Sequence, residues 1–395
     1  MRREPPVSTT LMPTYSRLPV TFSRGEGSWL WDTDGRRYLD ALCGISVTTL
    51  GHGHPAVTRA IQEQAARLVH TSNLYRIEAQ EALGDSLTAA ADMQRVFFCN
   101  SGAEANEAAI KLARLHGHRK GIERPGIVVF ENAFHGRTLA TLSATGNRKI
   151  QAGFEPLVSG FVRAPLNDIA AVEQIAQRNP DVVAVLVEPI QGEGGIRAAS
   201  PAFMQALRQL CDQRGWLLML DEVQTGNGRT GHYFAAQGLN LEADVITTAK
   251  GLGNGVPIGA CLARGPAAEV FGAGHHGSTY GGNPLACAAA GAVVETISAP
   301  GFLDRVQAAG ERLHRALSDG LRDCEHVAEL RGSGLMLGIA LKHDCGELVG
   351  RALDAGLLIN VTAGNTIRLL PPLTISDAEI EELAARLVPL IRDFG

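Results

Sequence analysis

Short apolar runs recur along the first two thirds of the chain, and none of them alternates with polar residues. Residues 95–99, 126–130, 181–187, 216–220 and 244–248 are long enough for strands and too short for helices. Continuous apolar runs of this length are what strands buried on both faces require. Between them the spacing becomes helical: EANEAAIKLARLHG follows the first run, and Val57, Ile61, Ala65 and Leu68 recur at three- and four-residue steps after Pro55. Short strands alternating with helices are the signature of βαβ units, so the pattern predicts an α/β fold with a mostly parallel sheet wrapped by helices. LACAAAGAVVETI, with its many small residues, predicts a helix in close contact with its neighbours.

The pattern changes around Ala299-Pro300-Gly301. Residues 304–321 are amphipathic, with Val306, Ala309, Leu313, Leu317 and Leu321 on one face. Short strands are predicted at residues 335–341, 357–361 and 366–370. Ser376 with Glu379 forms a capping box that opens a last helix, its Ile380, Leu383, Leu387 and Ile391 pointing inward. The segment before Pro55 is rich in turn residues, and Trp29-Leu30-Trp31-Asp32 followed by Asp34-Gly35 predicts a small hairpin or meander. Two domains result: a large one over residues 56–289 and a smaller α+β one built from residues 1–55 and 290–395. No internal repeat or coiled coil is present.

Composition narrows the partners. A chain of 395 residues exceeds a single core. Its net charge of -5, with both signs scattered, offers no basic patch, which argues against nucleic acid. No apolar run approaches the roughly 20 residues that span a bilayer, and MRREPPVSTT lacks the apolar centre of a signal peptide, so a cytoplasmic protein without membrane partners is expected. The seven cysteines are scattered and form no C-x-x-C pair, as expected of reduced, mostly buried thiols. His52 with His54, and His275 with His276, lack further ligands at metal spacing, so no metal site is expected.

The chemistry concentrates between Trp216 and Gly259. One buried run delivers Asp221 and the next delivers Lys250, both at carboxyl ends of strands, where open parallel sheets bind ligands. Lys250 has small neighbours, Thr247-Thr248-Ala249 and Gly251-Leu252-Gly253, so a bulky group can approach its nitrogen, and desolvation would favour nucleophilic use. A Schiff-base lysine with an acid for a pyridine nitrogen is the pair that pyridoxal phosphate requires. A buried ion-pair acid and a surface-loop lysine fit the same local pattern. Ser101 with Glu104 makes another capping box, placing Ser101-Gly102-Ala103 at a helix N-terminus whose N–H groups suit a phosphate. Read alone, Phe134 is a core residue, Arg137 a surface ion pair and Tyr15 a core or surface tyrosine.

LMLDEVQTGNGRTG, TTAKGLGNGVPIGA, HGSTYGGNPLA, CNSGAEANEAAIKLAR, NAFHGRT and VEPIQGEGG together resemble the signatures of the class III, pyridoxal-phosphate-dependent aminotransferases, in order and over nearly the whole chain. Within that class the likeness is greatest to its acetylornithine branch. The resemblance implies the fold type I architecture and a homodimer with shared active sites. It implies pyridoxal phosphate on Lys250, which also moves the proton, with Asp221 at the ring nitrogen. Phe134 and Val223 would cover the two ring faces, Gln224 would bind the ring oxygen, and Ser101, Gly102 and Ala103 the phosphate. Ala103 stands where the family usually has threonine, so a hydroxyl contact is missing. Thr279 would reach the phosphate of the partner subunit, and Ser278 the amine substrate. Tyr15 and Arg137 would take the carboxylate of that substrate, Arg368 the α-carboxylate of glutamate, and Glu193 would pair with Arg368 in its absence; Glu188 reads as a structural acid. Ile45 falls where ornithine-specific relatives carry a tyrosine, which favours an acylated donor. The implied reaction moves a δ-amino group from N2-acetylornithine to 2-oxoglutarate. Other ω-amine donors, a mutase or lyase of the same cofactor, and a non-enzymatic phosphate-binding module are the alternatives.

Overall fold

The structure, a computed structural model, describes residues 10–394. Three strands open the chain: β1 (Phe22–Glu26), β2 (Trp29–Asp32) and β3 (Arg37–Asp40). The Asp34-Gly35 turn joins β2 and β3 as an antiparallel hairpin. Gly35 adopts a φ of 82° there, and the Asp32 carboxylate accepts the N–H groups of Asp34 and Arg36.

The central sheet contains β4 (Arg95–Cys99), β5 (Gly126–Phe130), β6 (Phe161–Ala164) and β7 (Val182–Val187). A two-residue pair follows, β8 (Ile190–Gln191) with β9 (Arg197–Ala198), and then the sheet resumes with β10 (Leu217–Asp221), β11 (Val245–Thr248) and β12 (Gly259–Ala263). Its order is β4-β12-β11-β10-β7-β5-β6, and only β12 pairs antiparallel to its neighbours. The parallel strands end together, so the residues following β4, β5, β7, β10 and β11 converge on one edge.

Both faces of this sheet are covered. On one side Ile127, Val129, Leu217, Met219 and Val245 pack with Ala108, Ala109, Leu112 and Ala113 of helix Gly102–Arg119. On the other, Val128, Phe130, Val185, Leu218, Leu220 and Ile246 pack with Phe203, Met204 and Leu207 of helix Pro201–Arg214. Alternate residues of one strand thus enter opposite cores, which is why the strands read as continuous apolar runs. At about 1.5–3 kcal/mol per buried aliphatic side chain, this double burial is the main favourable contribution that fixes the register of the sheet edge.

The remaining strands are β13 (Val327–Ser333), β14 (Met336–Leu341), β15 (Leu357–Leu358), β16 (Asn360–Thr362) and β17 (Thr366–Leu369). They form an antiparallel sheet, β13-β14-β17-β16, while β15 joins the N-terminal hairpin by pairing parallel to β3. Residues 357–361, expected as one strand, are therefore two, because the chain changes sheets at Ile359. Helices Phe302–Gly320 and Asp377–Arg392 pack against this unit. The capping box at the second of these helices is formed in both directions between Ser376 and Glu379.

The helix after Pro55, Pro55–Arg67, differs from its expected orientation. Only Val57 of the apolar series is buried; Ala65 is exposed, and Leu68 lies beyond the helix on the surface. With Val69, Leu74, Tyr75 and Tyr280 these residues leave several large apolar side chains in solvent. Among the described residues no single helix is long and apolar enough to cross a membrane, and the one bent pair that is, Pro284–Ser298 with Phe302–Gly320, turns by 74° and contributes Val293, Ile297, Val306 and Leu313 to the core. No three metal-ligating side chains converge among the described residues, and all seven cysteines are free thiols.

Candidate active site

A cavity of about 400 Å³ lies at the carboxyl edge of the central sheet. Lys250 and Asp221 line it, with Phe134, Val223 and Gln224. A larger groove of about 660 Å³ between Thr230 and helix Phe302–Gly320 contains neither a lysine nor a buried carboxylate. Chemistry therefore selects the smaller space.

Lys250 follows β11 by two residues and opens a single 3-10 turn, with its backbone at a φ of 46°. A lysine in the left-handed region is uncommon, and such strain gathers where a side chain must be aimed. Burial lowers its pKa from the ordinary 10.5, and the positive charge of Arg368 lowers it further, against Glu193, Asp221 and Glu188. Both leading effects favour the neutral amine that a nucleophile and proton carrier needs.

Asp221 ends β10 and is buried. Its Oδ2 accepts from Asn106 Nδ2 at 2.8 Å and from His135 Nδ1 at 2.7 Å, and its Oδ1 from the Val223 N–H at 3.1 Å. Asn106 and His135 escaped the sequence reading. The available signal was a polar residue on the apolar face of an alanine-rich helix, since Asn106 is buried among Ala105, Ala108 and Ala109.

The turn after β4 is built as expected in part. Ser101 is extended and its Oγ accepts from the Glu104 N–H at 3.2 Å. The Glu104 carboxylate, however, reaches back to the backbone and side-chain N–H groups of Asn100, at 2.7 and 2.8 Å, rather than to Ser101 itself. One-sided capping results because the Asn100 side chain offers a second donor to the same oxygen. The N–H groups of Ser101, Gly102 and Ala103 then have no protein acceptor among the described residues. Gly102 is required here, since a Cβ on it would lie 2.6 Å from Val223 Cγ1.

Arg368, on β17, is fully buried. Its Nε donates to Asn360 Oδ1 at 3.1 Å, and its Nη1 to Glu193 Oε1 at 2.6 Å and Gln224 Oε1 at 3.0 Å. Its Nη2 has no partner among the described residues. Because the Gln224 oxygen is engaged by Arg368, its amide nitrogen remains for another acceptor. Gly192 lets this happen: a Cβ there would collide with the Gln224 carboxamide. Arg137 is exposed at the cavity wall, with its guanidinium 5.8 Å from the Phe134 ring centroid. Glu188 accepts from the Phe134 and Gly192 N–H groups, at 2.9 and 3.2 Å, and burial pushes its carboxyl up to about 7.

Of the residues expected to bind cofactor or substrate, Tyr15, Glu193, Ser278, Thr279 and Arg368 do not line this cavity; Arg368, with Glu193, connects to it through Gln224, to which it donates at 3.0 Å. Tyr15 is 75 % exposed, and Thr279 is exposed. Ser278 is half-buried, with its Oγ accepting from Asn100 Nδ2 at 3.2 Å and from the Gly281 N–H at 2.9 Å.

The sequence profile of Aminotransferase class-III matches residues 11–391. The acetylornithine aminotransferase of Nitrosomonas europaea is 54 % identical over 384 residues, covering 97 % of this chain and 98 % of its own. Acetylornithine aminotransferase 1 of Bordetella pertussis is 54 % identical over 388 residues, covering 98 % and 99 %. Among solved structures, ornithine aminotransferase from Toxoplasma gondii superposes with a TM-score of 0.93 at 33 % identity over 96 % of this chain and 92 % of its own. N-acetylornithine aminotransferase from Stenotrophomonas maltophilia does so with 0.83 at 36 % identity over 95 % and 96 %. Pyridoxal phosphate, the cofactor of such enzymes, fits the residues present: unengaged N–H groups at a helix start for its phosphate, a buried carboxylate for its ring nitrogen, and a lysine of lowered pKa. Profile, relatives and superposed structures agree over almost the full length, and the chain belongs to the class-III aminotransferases.

Proposed function

We propose that this aminotransferase takes the δ-amino group of N2-acetyl-L-ornithine and delivers it to 2-oxoglutarate, giving N-acetylglutamate 5-semialdehyde and L-glutamate, a step of arginine biosynthesis. The observation that carries the reading is Arg368. It is fully buried, holds Glu193 on Nη1 and keeps Nη2 unpaired among the described residues, which suits a carboxylate site that closes and opens with one side chain. A ping-pong enzyme that accepts an ω-amine in one half and an α-amino acid in the other needs such a site. The names of the relatives favour N2-acetylornithine as the amine.

When bound, the cofactor supplies an electron-withdrawing ring and a carbonyl that exchanges the amino group between substrates. The N–H groups of Ser101, Gly102 and Ala103 would bind its phosphate at the start of helix Gly102–Arg119, where the helix dipole favours an anion. Phe134 and Val223 would cover the ring faces, Asp221 would hold the ring nitrogen, and the amide nitrogen of Gln224 would donate to the ring oxygen. Lys250 Nζ, whose pKa is lowered by burial and by Arg368, would hold the cofactor and carry the proton at the carbon that bears the amine. Arg137 takes the acetylornithine carboxylate, far from that carbon. Arg368 takes the glutamate α-carboxylate close to it, displacing Glu193. Ile45 packs on Ile190, Ile196, Met336 and Leu370, presenting no hydroxyl to an unacylated α-amine.

The working unit in this reading is a homodimer. The exposed Leu68, Val69, Tyr75 and Tyr280 are the apolar surface that a second copy would cover. Thr279 and Tyr15, idle in one chain, would complete the site of the other, with Thr279 of the partner subunit on the phosphate. Specificity constants with N2-acetylornithine, succinylornithine, ornithine and 4-aminobutyrate, each with and without 2-oxoglutarate, test the assignment. N2-acetylornithine is expected to lead and to require the oxoacid. A higher constant for ornithine or 4-aminobutyrate refutes the substrate, and turnover without oxoacid refutes transamination.

A further inference from the structure

A carboxylate offers about four lone-pair positions, two on each oxygen. On Asp221 three of them are taken: both of Oδ2, by Asn106 Nδ2 and His135 Nδ1, and one of Oδ1, by the Val223 N–H. One position remains, on Oδ1.

The two ends of an asparagine amide have nearly the same shape, so only its partners decide which way it faces. Both N–H bonds of Asn106 Nδ2 are used, one to Asp221 Oδ2 and one to the His135 carbonyl, each at 2.8 Å. Its oxygen accepts from Thr247 Oγ1 at 2.7 Å. Flipping the amide would set its oxygen against a carboxylate and a carbonyl, and its nitrogen against a hydroxyl. Thr247 sits directly opposite Asp221 in the β10–β11 ladder, so the strand register delivers the hydroxyl to this place. Asn106, Thr247 and Asp221 are all buried.

We infer that Asn106, oriented by Thr247, is a positioning residue for Asp221: it fills Oδ2 and leaves Oδ1 as the single acceptor for the ring nitrogen of the cofactor. The inference rests on the reading of Asp221 as the ring acid. His135 shares the task, but its bond requires a proton on Nδ1, whereas the asparagine bond is independent of tautomer. Thr247 acts without touching the cavity, whereas Asn106 lines it.

The test reconstitutes cofactor-free protein with pyridoxal phosphate labelled with nitrogen-15 in the ring, and reads ring-nitrogen protonation by NMR across pH, together with the cofactor dissociation constant. Asn106→Leu and Thr247→Val are expected to lower the pH at which the ring nitrogen loses its proton by about one unit or more and to weaken cofactor binding about ten- to hundredfold for Asn106→Leu, less for Thr247→Val, as expected on losing a hydrogen bond to a charged group. Thr247→Ser keeps the hydroxyl and is expected to match the wild type. Asp221→Ala serves as the reference and is expected to shift the ring nitrogen most. If Asp221→Ala shifts it while Asn106→Leu and Thr247→Val do not, the positioning role is refuted and the ring-acid reading stands. If Asp221→Ala leaves it unchanged, the ring-acid reading falls, and this inference with it. Thermal unfolding of the cofactor-free variants checks the fold, and the nearly isosteric Thr247→Val carries the test where Asn106→Leu does not fold.

Discussion

Replacing Glu193 with alanine removes the carboxylate that pairs with Arg368 and leaves Lys250 itself in place. In the wild type, Glu193 occupies Arg368 Nη1 at 2.6 Å, and only Nη2 is open to an incoming carboxylate. An α-carboxylate must therefore displace Glu193 to bind through both nitrogens. Forming a second charge-assisted hydrogen bond is worth about 1.5–3 kcal/mol. Glu193 is 39 % exposed, so part of its attraction for Arg368 is screened by water, and its removal is expected to return about 1–2 kcal/mol. Glu193→Ala should then bind glutamate about 5- to 30-fold more tightly. Acetylornithine, which brings no α-carboxylate to Arg368, gains nothing, and the unpaired guanidinium disfavours its apolar chain. Single-turnover kinetics that follow the cofactor absorbance with each amine separately resolve the two effects. Equal changes for glutamate and acetylornithine would refute a competition at Arg368.

Three further outcomes follow from the same geometry. In cofactor-free protein, attachment of pyridoxal phosphate should reach half its maximal rate at a pH below the ordinary lysine value, because burial and Arg368 disfavour protonated Lys250; Arg368→Ala should move that midpoint up and Glu193→Ala down, and a midpoint that ignores both changes contradicts the coupling. Arg137→Ala should slow the acetylornithine half-reaction about 10- to 100-fold while leaving the glutamate half within a few-fold, the exposure of Arg137 keeping the loss below that of a buried pair; equal losses in both halves would end the division of labour between the arginines. Glu222→Ala should destabilise the fold by about 3–5 kcal/mol in urea unfolding, because the N–H groups of Ala235 and Ala236 and the Thr225 hydroxyl all donate to that buried carboxylate; a midpoint unchanged from the wild type would refute its structural role.

What the sequence revealed and what it concealed follow from the same physics. Strands β5, β7, β10 and β11 read clearly because burial on both faces demands unbroken apolar runs, and the residues ending them carry the candidate chemistry. β12 does not, because Gly259-Ala260-Cys261-Leu262-Ala263 is built of small residues that let Ser101 and Cys99 approach, and small residues carry no strand signal. Nor does β13, with its Glu329 and Arg331 in mid-strand. Asp221, Lys250, Phe134 and Arg368 were legible as types in motifs. Asn106, Thr247, His135 and Asn360 were not, because each acts through a partner distant in sequence: 115 residues separate Asn106 from Asp221. Tyr15 and Thr279 are exposed outside the cavity, so their expected contacts with substrate and phosphate are not made within this chain.

The chain contains five lysines, and Lys111, Lys120, Lys149 and Lys342 are exposed on the surface, leaving Lys250 alone at the cavity. Borohydride treatment of the protein loaded with pyridoxal phosphate, followed by peptide mass mapping, therefore tests the central claim most directly. Cofactor mass is expected on the peptide containing Lys250, at one equivalent per chain, and its appearance should be lost when N2-acetylornithine is added beforehand and regained with 2-oxoglutarate. Label on any of the other four lysines, or label on Lys250 that N2-acetylornithine leaves untouched, would contradict it.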